Sequence, residues 1–242
     1  MNDKNVTPVE AALYLFPVPL SDGSLDRVLP TINTQLLNGI SHFIVENVRS
    51  ARRFIKKCNH AADIDSMTFY VLNRQTAASA IPPMLDALAN GQPMGVISEA
   101  GCPAVADPGA DVVAIAQQRG YKVVPLVGPS SILMGLMGSG FNGQSFAFLG
   151  YLPIDKDQRQ KRLRDMQKSI VSHDQTQIFI ETPYRNNRII ADIVGALPGS
   201  LKLCVASDIS GPGESIITRP LSWWAKAKFD YDKTPTIFLL YK

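Results

Sequence analysis

Cysteine and histidine are scarce, with three of each in 242 residues. Cys58, Cys102 and Cys204 are scattered, as are His42, His60 and His173. Such placement excludes a disulfide framework and gives no metal-ligand spacing, so neither a disulfide scaffold nor a metal is expected. Long apolar runs are missing too. The longest, residues 126–141, is interrupted by Gly, Pro and Ser, and a bilayer span needs about 20 consecutive apolar residues. No segment has the basic, apolar and small-residue succession of a signal peptide, which makes a reducing cytoplasm the expected location. No Gly-x-Gly-x-x-Gly follows the first strand pattern and no Gly-Lys-Ser/Thr occurs, so dinucleotides and nucleoside triphosphates lose ground as ligands. Charge of one sign is nearly absent as a bias: 24 Lys and Arg against 21 Asp and Glu give a net +3. That balance permits an anionic partner such as RNA without demanding one. What remains, 45% hydrophobic and 19% charged residues, is an ordinary globular composition able to bury a core.

The most informative stretch is residues 94–109. Met94-Gly-Val-Ile97 follows the turn signal Gly91-Gln-Pro93 and reads as a short buried strand. It opens into Ser98-Glu-Ala-Gly-Cys-Pro103, and the loop continues to Asp107-Pro-Gly109. A loop so poor in side chains lets a ligand lie against bare backbone, although tight strand-to-helix geometry alone would also call for its Gly and Pro. Asp107 as N-cap and Pro108 at the first helical position predict a helix start, continuing through residues 112–119. A second strand, turn and helix unit covers residues 121–140 and turns at Val127-Gly-Pro-Ser-Ser131. In open α/β sheets, ligands sit at the carboxyl ends of strands, where both turns fall.

Along the chain, strands are predicted at 12–16, 42–45, 68–72, 94–97 and 122–127. Helices fall at 50–57, 80–89 (interrupted at its start by Pro82-Pro83) and 112–119, with a small-residue segment at 132–137. Gly138-Ser-Gly140-Phe-Asn-Gly143 reads as a linker or hinge. Strands then follow at 145–149, 177–180, 201–206 and 236–240, with helices at 157–172 and 189–196. This alternation predicts an α/β protein of two lobes, residues 1–140 and 145–242, each a mostly parallel or mixed sheet flanked by helices. Arg49, Arg52, Arg53, Lys56 and Lys57 share a helical face, which fits either a solvated helix or an RNA-facing surface. Arg159, Lys161, Arg162, Arg164 and Lys168 make the 157–172 helix basic, with Arg159 among the candidates for phosphate contact. Trp223 and Trp224 are expected to pack rather than stack on bases.

The two turns together resemble those of the tetrapyrrole-methylase superfamily of S-adenosylmethionine (SAM)-dependent methyltransferases. Within it, the likeness is greatest to the ribosomal RNA small subunit methyltransferase I family, which methylates ribose 2′-hydroxyls. That family reads Ser-Asp-Ala-Gly-Thr-Pro where this chain has residues 98–103, and Glu-Asp-Thr-Arg where it has Glu46-Asn-Val-Arg49. It reads Glu-Ser-Pro-His-Arg where this chain has Glu181-Thr-Pro-Tyr-Arg185, and Gly-Phe-Leu-Pro where it has Gly150-Tyr-Leu-Pro153. Asn47, Tyr184 and the lack of a Lys in residues 207–214 depart from the pattern.

The resemblance implies a two-lobed fold holding SAM in a cleft, a homodimer, and ribosomal RNA or the small subunit as partner. It places Pro17, Gly101, Cys102, Val105, Ser131 and Ile132 at the cofactor. A ribose hydroxyl needs a group to take its proton, and Glu46 and Glu181 are the candidates. Arg49 and Arg185 suit phosphates, since the guanidinium fork fits them; on the residues alone, Glu46 with Arg49 also fits a surface ion pair. Three readings stay open: an RNA ribose methyltransferase, a methylase of a small molecule such as a tetrapyrrole, and a SAM-binding module without acceptor chemistry.

Overall fold

A computed structural model describes residues 9–242. The chain divides into two compact units, one ending at Pro129 and the other running from Ser130 to Lys242.

The first unit contains β1 (Leu13–Phe16), α1 (Thr31–Leu37), β2 (His42–Val45), α2 (Val48–Lys57), β3 (Thr68–Val71), α3 (Asp86–Ala89), β4 (Met94–Ile97), α4 (Ala110–Gln118) and β5 (Val123–Pro125). Its five strands form one parallel sheet in the order β3-β2-β4-β1-β5. All four residues of β4 are buried, as an interior parallel strand covered on both faces requires. Alternate side chains go to opposite faces. Tyr14, Phe16, Phe43, Val45 and Ile97 pack with Leu37, Ala51 and Ile55 of α1 and α2. Leu13, Ile44, Met94 and Val96 pack with Leu85, Leu88, Val112 and Ala116 around α3 and α4. Each such fully buried large apolar side chain contributes about 1.5–3 kcal/mol relative to exposure. The segment 80–89, expected as a helix interrupted at its start by Pro82-Pro83, is broken there: 3-10 turns at Ala78–Ala80 and Pro82–Leu85 precede the single turn of α3, because consecutive prolines cannot supply helical donors.

The second unit contains α5 (Ser131–Ser139), β6 (Phe146–Tyr151), α6 (Lys156–His173), β7 (Thr176–Ile180), α7 (Asn186–Ala196), β8 (Lys202–Ser207), β9 (Ser215–Pro220), α8 (Leu221–Trp224) and β10 (Thr236–Tyr241). Its sheet is mixed, in the order β6-β7-β10-β8-β9, with only β6 and β7 parallel. The expected α/β class, with a mostly parallel or mixed sheet in each lobe, is what forms, the first sheet parallel and the second mixed.

The glycine-rich run at 138–143 is not a linker. Gly138 lies inside α5, where a Cβ would come within 2.6 Å of Ile216 Cδ1. Gly140, at φ 73°, is the left-handed C-cap of that helix, the position glycine fills at least cost. The helix packs on β8, β9 and β10, so the compact units part at Pro129, ahead of this run. Trp224 is buried and its indole Nε1–H donates to Leu203 O at 3.0 Å, while Trp223 stays 43% exposed. Among the described residues, no helix is long and apolar enough to cross a membrane.

Candidate active site

Three loops leave the carboxyl edge of the first sheet and are tied to one another. Pro17–Leu20 follows β1, Ser98–Gly109 follows β4, and Leu126–Pro129 follows β5. Val18 and Gly101 exchange two backbone hydrogen bonds, each 3.0 Å long. Ser98 Oγ donates to Gly101 O at 2.9 Å. Gly101 takes φ 70°, the left-handed region where a side chain is strained. The third loop joins through Gly128, where a Cβ would stand 2.3 Å from Pro17 Cβ; only glycine admits that approach. Asn33, buried on α1, donates from Nδ2 to Val127 O at 2.8 Å, and Cys102 Sγ lies 3.5 Å from Pro129 O. The strand-end loops are thereby fixed, while Val105 and Val127 present exposed apolar side chains, 47% and 75% accessible.

Of the residues expected at a cofactor, this arrangement gathers Pro17, Gly101, Cys102 and Val105 in the first unit. Ser131 and Ile132 open α5, the first helix of the second unit, behind the N-cap Ser130. Burial pushes the Cys102 thiol pKa up, so it is no thiolate nucleophile at neutral pH.

Beside the loops lies a cavity of about 360 Å³ lined by Glu46, Asn47, Asn73, Arg74, Gln75 and Glu99. These residues follow β2, β3 and β4, adjacent strands of the sheet. Glu46 also lines a small internal void with Ser98, Asp107 and Pro108. Asp107 was expected to cap α4, but the N-cap is Gly109, with φ 133°, and the helix makes no side-chain cap bond. The Asp107 carboxyl instead has a buried Oδ2 without a hydrogen-bond partner. Its pKa is raised from 3.8 to about 6, by burial first and then by the negative charges of Glu46 and Glu99. Reasoning from sequence missed this carboxylate group because the closeness of Glu46, Glu99 and Asp107 depends on β2 lying next to β4. Asn47, a departure from the resembled family, is the N-cap of α2: its Oδ1 accepts from Arg49 N at 2.9 Å and Ser50 N at 3.2 Å. Asn and Asp cap comparably, so that departure leaves the helix start intact.

The expected residues of the second unit are engaged differently. Arg159 is 1% exposed. Its Nε donates to Asp192 Oδ2 at 2.8 Å, and its Nη1 donates to Pro153 O at 3.0 Å and Ile154 O at 2.6 Å. A guanidinium so enclosed ties α6 to α7 and has no face left for a phosphate, which corrects the expectation for Arg159. The Glu181 side chain is 2% exposed; Oε1 accepts from Thr182 N at 2.8 Å. Oε2 stands 3.0 Å from Arg185 Nη2, an ion pair at an angle that forms no hydrogen bond. The second strand-end Glu–Arg couple therefore pairs with itself, whereas Arg49 at the first is exposed and Glu46 lines a cavity.

This architecture has solved counterparts. The chain is similar to the methyltransferase CobJ, with a TM-score of 0.63 and 15% identity over 96% of this chain and 94% of that one. It is similar to the cobalamin biosynthetic enzyme cobalt precorrin-4 methyltransferase CbiF, with a TM-score of 0.59 and 12% identity over 96% and 95%. The fold is that of the tetrapyrrole methylases. No family model matches the chain. Curated relatives narrow the class. Ribosomal RNA small subunit methyltransferase I of Vibrio cholerae is 30% identical over 223 residues, covering 92% of this chain and 73% of the relative. The Mesorhizobium japonicum protein of the same name is 33% identical over 217 residues, covering 88% and 69%. The chain belongs to the ribosomal RNA small subunit methyltransferase I family and is a methyltransferase.

Proposed function

We propose that the protein methylates a ribose 2′-hydroxyl of small-subunit ribosomal RNA, with SAM as donor. The observation that carries this reading is the polar cavity holding Glu46 and Glu99 at the carboxyl ends of β2, β3 and β4, beside loops that match the family's paired turns. SAM supplies an electrophilic methyl carbon on a sulfonium. The binding residues are Pro17, Gly101, Cys102 and Val105, with Ser131 and Ile132 from the start of α5. Their chemistry fits: fixed backbone at Gly101 and Gly128 suits polar ends of the ligand, and Val105 and Val127 suit its adenine and aliphatic surfaces. Holding acceptor and donor in line supplies most of the catalysis such a transfer needs.

Glu46 is the group that takes the hydroxyl proton as the oxygen becomes an ether. Glu181, the other candidate, has its carboxylate committed to Thr182 and Arg185. Arg49 holds a phosphate of the RNA, and Arg185, 25% exposed in its side chain, is a weaker second. The family resemblance supports a homodimer, and the three free cysteines fit a reducing cytoplasm.

Labelled SAM incubated with small ribosomal subunits lacking the modification tests the reading. Label recovered in an alkali-resistant dinucleotide is expected, because a 2′-O-methyl group blocks cleavage at that position. Label on a base, or on a porphyrin precursor offered in parallel and not on RNA, overturns it.

A further inference from the structure

Helix α2 carries five cations, and its contacts sort them into two sets. Arg52 is paired with Asp65, and Lys57 Nζ donates to Gly23 O at 2.6 Å. Arg49, Arg53 and Lys56 are exposed, and their side chains have no hydrogen-bond or ion-pair partner among the described residues. They stand at i, i+4 and i+7, one stripe of the helix. The stripe borders a groove of about 960 Å³ whose lining also includes Val48, His60, Ala62 and Ile64 and the carboxylates Asp63 and Asp65. The His60 ring turns away from the stripe: Nδ1 accepts from Ala62 N at 3.0 Å, and Nε2 lies 3.0 Å from Leu37 O.

The groove and the cavity of Glu46 and Glu99 meet at the start of α2, where Asn47 lines the cavity and Val48 the groove. Their charges are opposite. In the cavity Glu46 and Glu99 outnumber Arg74, which disfavours a phosphate, while in the groove Arg49, Arg52, Arg53 and Lys56 outnumber Asp63 and Asp65, which favours one.

We propose that Arg49, Arg53 and Lys56 form a rail for the phosphates of the RNA strand that flanks the acceptor nucleotide. The carboxylates at its end, in excess over Arg74, favour the uncharged part of a nucleotide, the ribose and base. The inference rests on the RNA-methyltransferase reading and adds where the strand runs. The stripe is about 10 Å long, at ~1.5 Å per residue, which spans about three phosphates of a stacked strand. The apolar side chains of Val48, Ala62 and Ile64 give riboses and bases a surface between those contacts. Arg52, held by Asp65, builds the groove wall.

The test compares the full chain with Arg53→Gln/Lys56→Gln and, as a control, Arg52→Gln. A fluorescent oligouridylate is titrated at several salt concentrations, and KM for small ribosomal subunits is measured at saturating SAM. Calorimetric SAM affinity reports whether each variant is folded. Losing two phosphate contacts should reduce the slope of log affinity against log salt by about 1.4, at ~0.7 per contact on a single strand. It should also raise KM for subunits roughly tenfold. Arg52→Gln should alter the slope by less than half as much. An unchanged slope and KM in the double variant, with wild type active on RNA, overturns the rail. Equal losses in the double variant and Arg52→Gln also overturn it. Wild type that labels no RNA at all would instead refute the underlying reading, a separate result.

Discussion

Asp107→Asn should make the protein more stable above neutral pH, although it removes a charged side chain next to the site. In the folded chain the carboxyl titrates at about 6 instead of 3.8. A rise of that size corresponds to about 3 kcal/mol at roughly 1.4 kcal/mol per pH unit. The carboxyl is partly exposed, and solvent screening reduces the figure to about 1.5 kcal/mol. The sign follows from linkage. Between pH 3.8 and about 6 the folded state holds the proton more tightly than the unfolded chain. This group's contribution is therefore fully present below about 3.8 and is lost as pH rises through about 6. Asparagine keeps the shape of the neutral acid at every pH and never acquires the charge that Glu46 and Glu99 repel.

Urea unfolding at pH 4 and pH 8, followed by far-ultraviolet circular dichroism, measures the difference. Both tryptophans lie in the second unit, so their fluorescence would miss the unit that holds Asp107. At pH 8 the variant's midpoint should exceed wild type by about 0.8 M, taking a slope of ~2 kcal/mol per M. At pH 4 the two should nearly coincide. A variant less stable than wild type at pH 8, or a difference that does not change with pH, would refute the argument that burial, with the charges of Glu46 and Glu99, penalises the ionised Asp107 carboxyl.

Glu46→Gln should lower methyl transfer at saturating substrates by about 10²–10⁴-fold with SAM affinity nearly intact; an unimpaired single-turnover rate would remove Glu46 from proton handling. Glu181→Gln should instead lower stability by about 1–2 kcal/mol through the Arg185 pair, and a large rate loss without destabilisation would contradict that assignment. Arg159→Met should destabilise the second unit by about 3 kcal/mol or more, because Asp192 and two carbonyls lose their donor. Its tryptophan-monitored midpoint should fall while the salt slope for RNA stays unchanged. Gly128→Ala forces a methyl into the Pro17 ring and should cost about 1–3 kcal/mol. SAM affinity by calorimetry should fall with it; wild-type affinity in a folded variant would mean that the Pro17 loop does not shape the pocket.

Local chemistry wrote much of this protein into its sequence. Short apolar runs bounded by turn residues sufficed for β1, β2, β4, β7 and β10, and the small-residue loops at 98–109 and 126–131 marked the sheet edge that carries the site. The family motifs supplied the methyltransferase class. Sequence reasoning overlooked β9 and α1: β9 has no fully buried residue, and α1 buries only Asn33 and Leu37. Neither presents a strong periodic apolar signal. Contacts between distant segments decided the rest. Sheet order put β2 beside β4 and so brought Glu46, Glu99 and Asp107 together. Docking of α5 on β8, β9 and β10 turned an apparent hinge into a helix end. Packing of α6 against α7 converted Arg159 from a surface cation into a buried tie. Charge and small side chains are properties of a residue and can be read singly; burial and pairing belong to two segments at once, and only the folded chain brings those segments into contact.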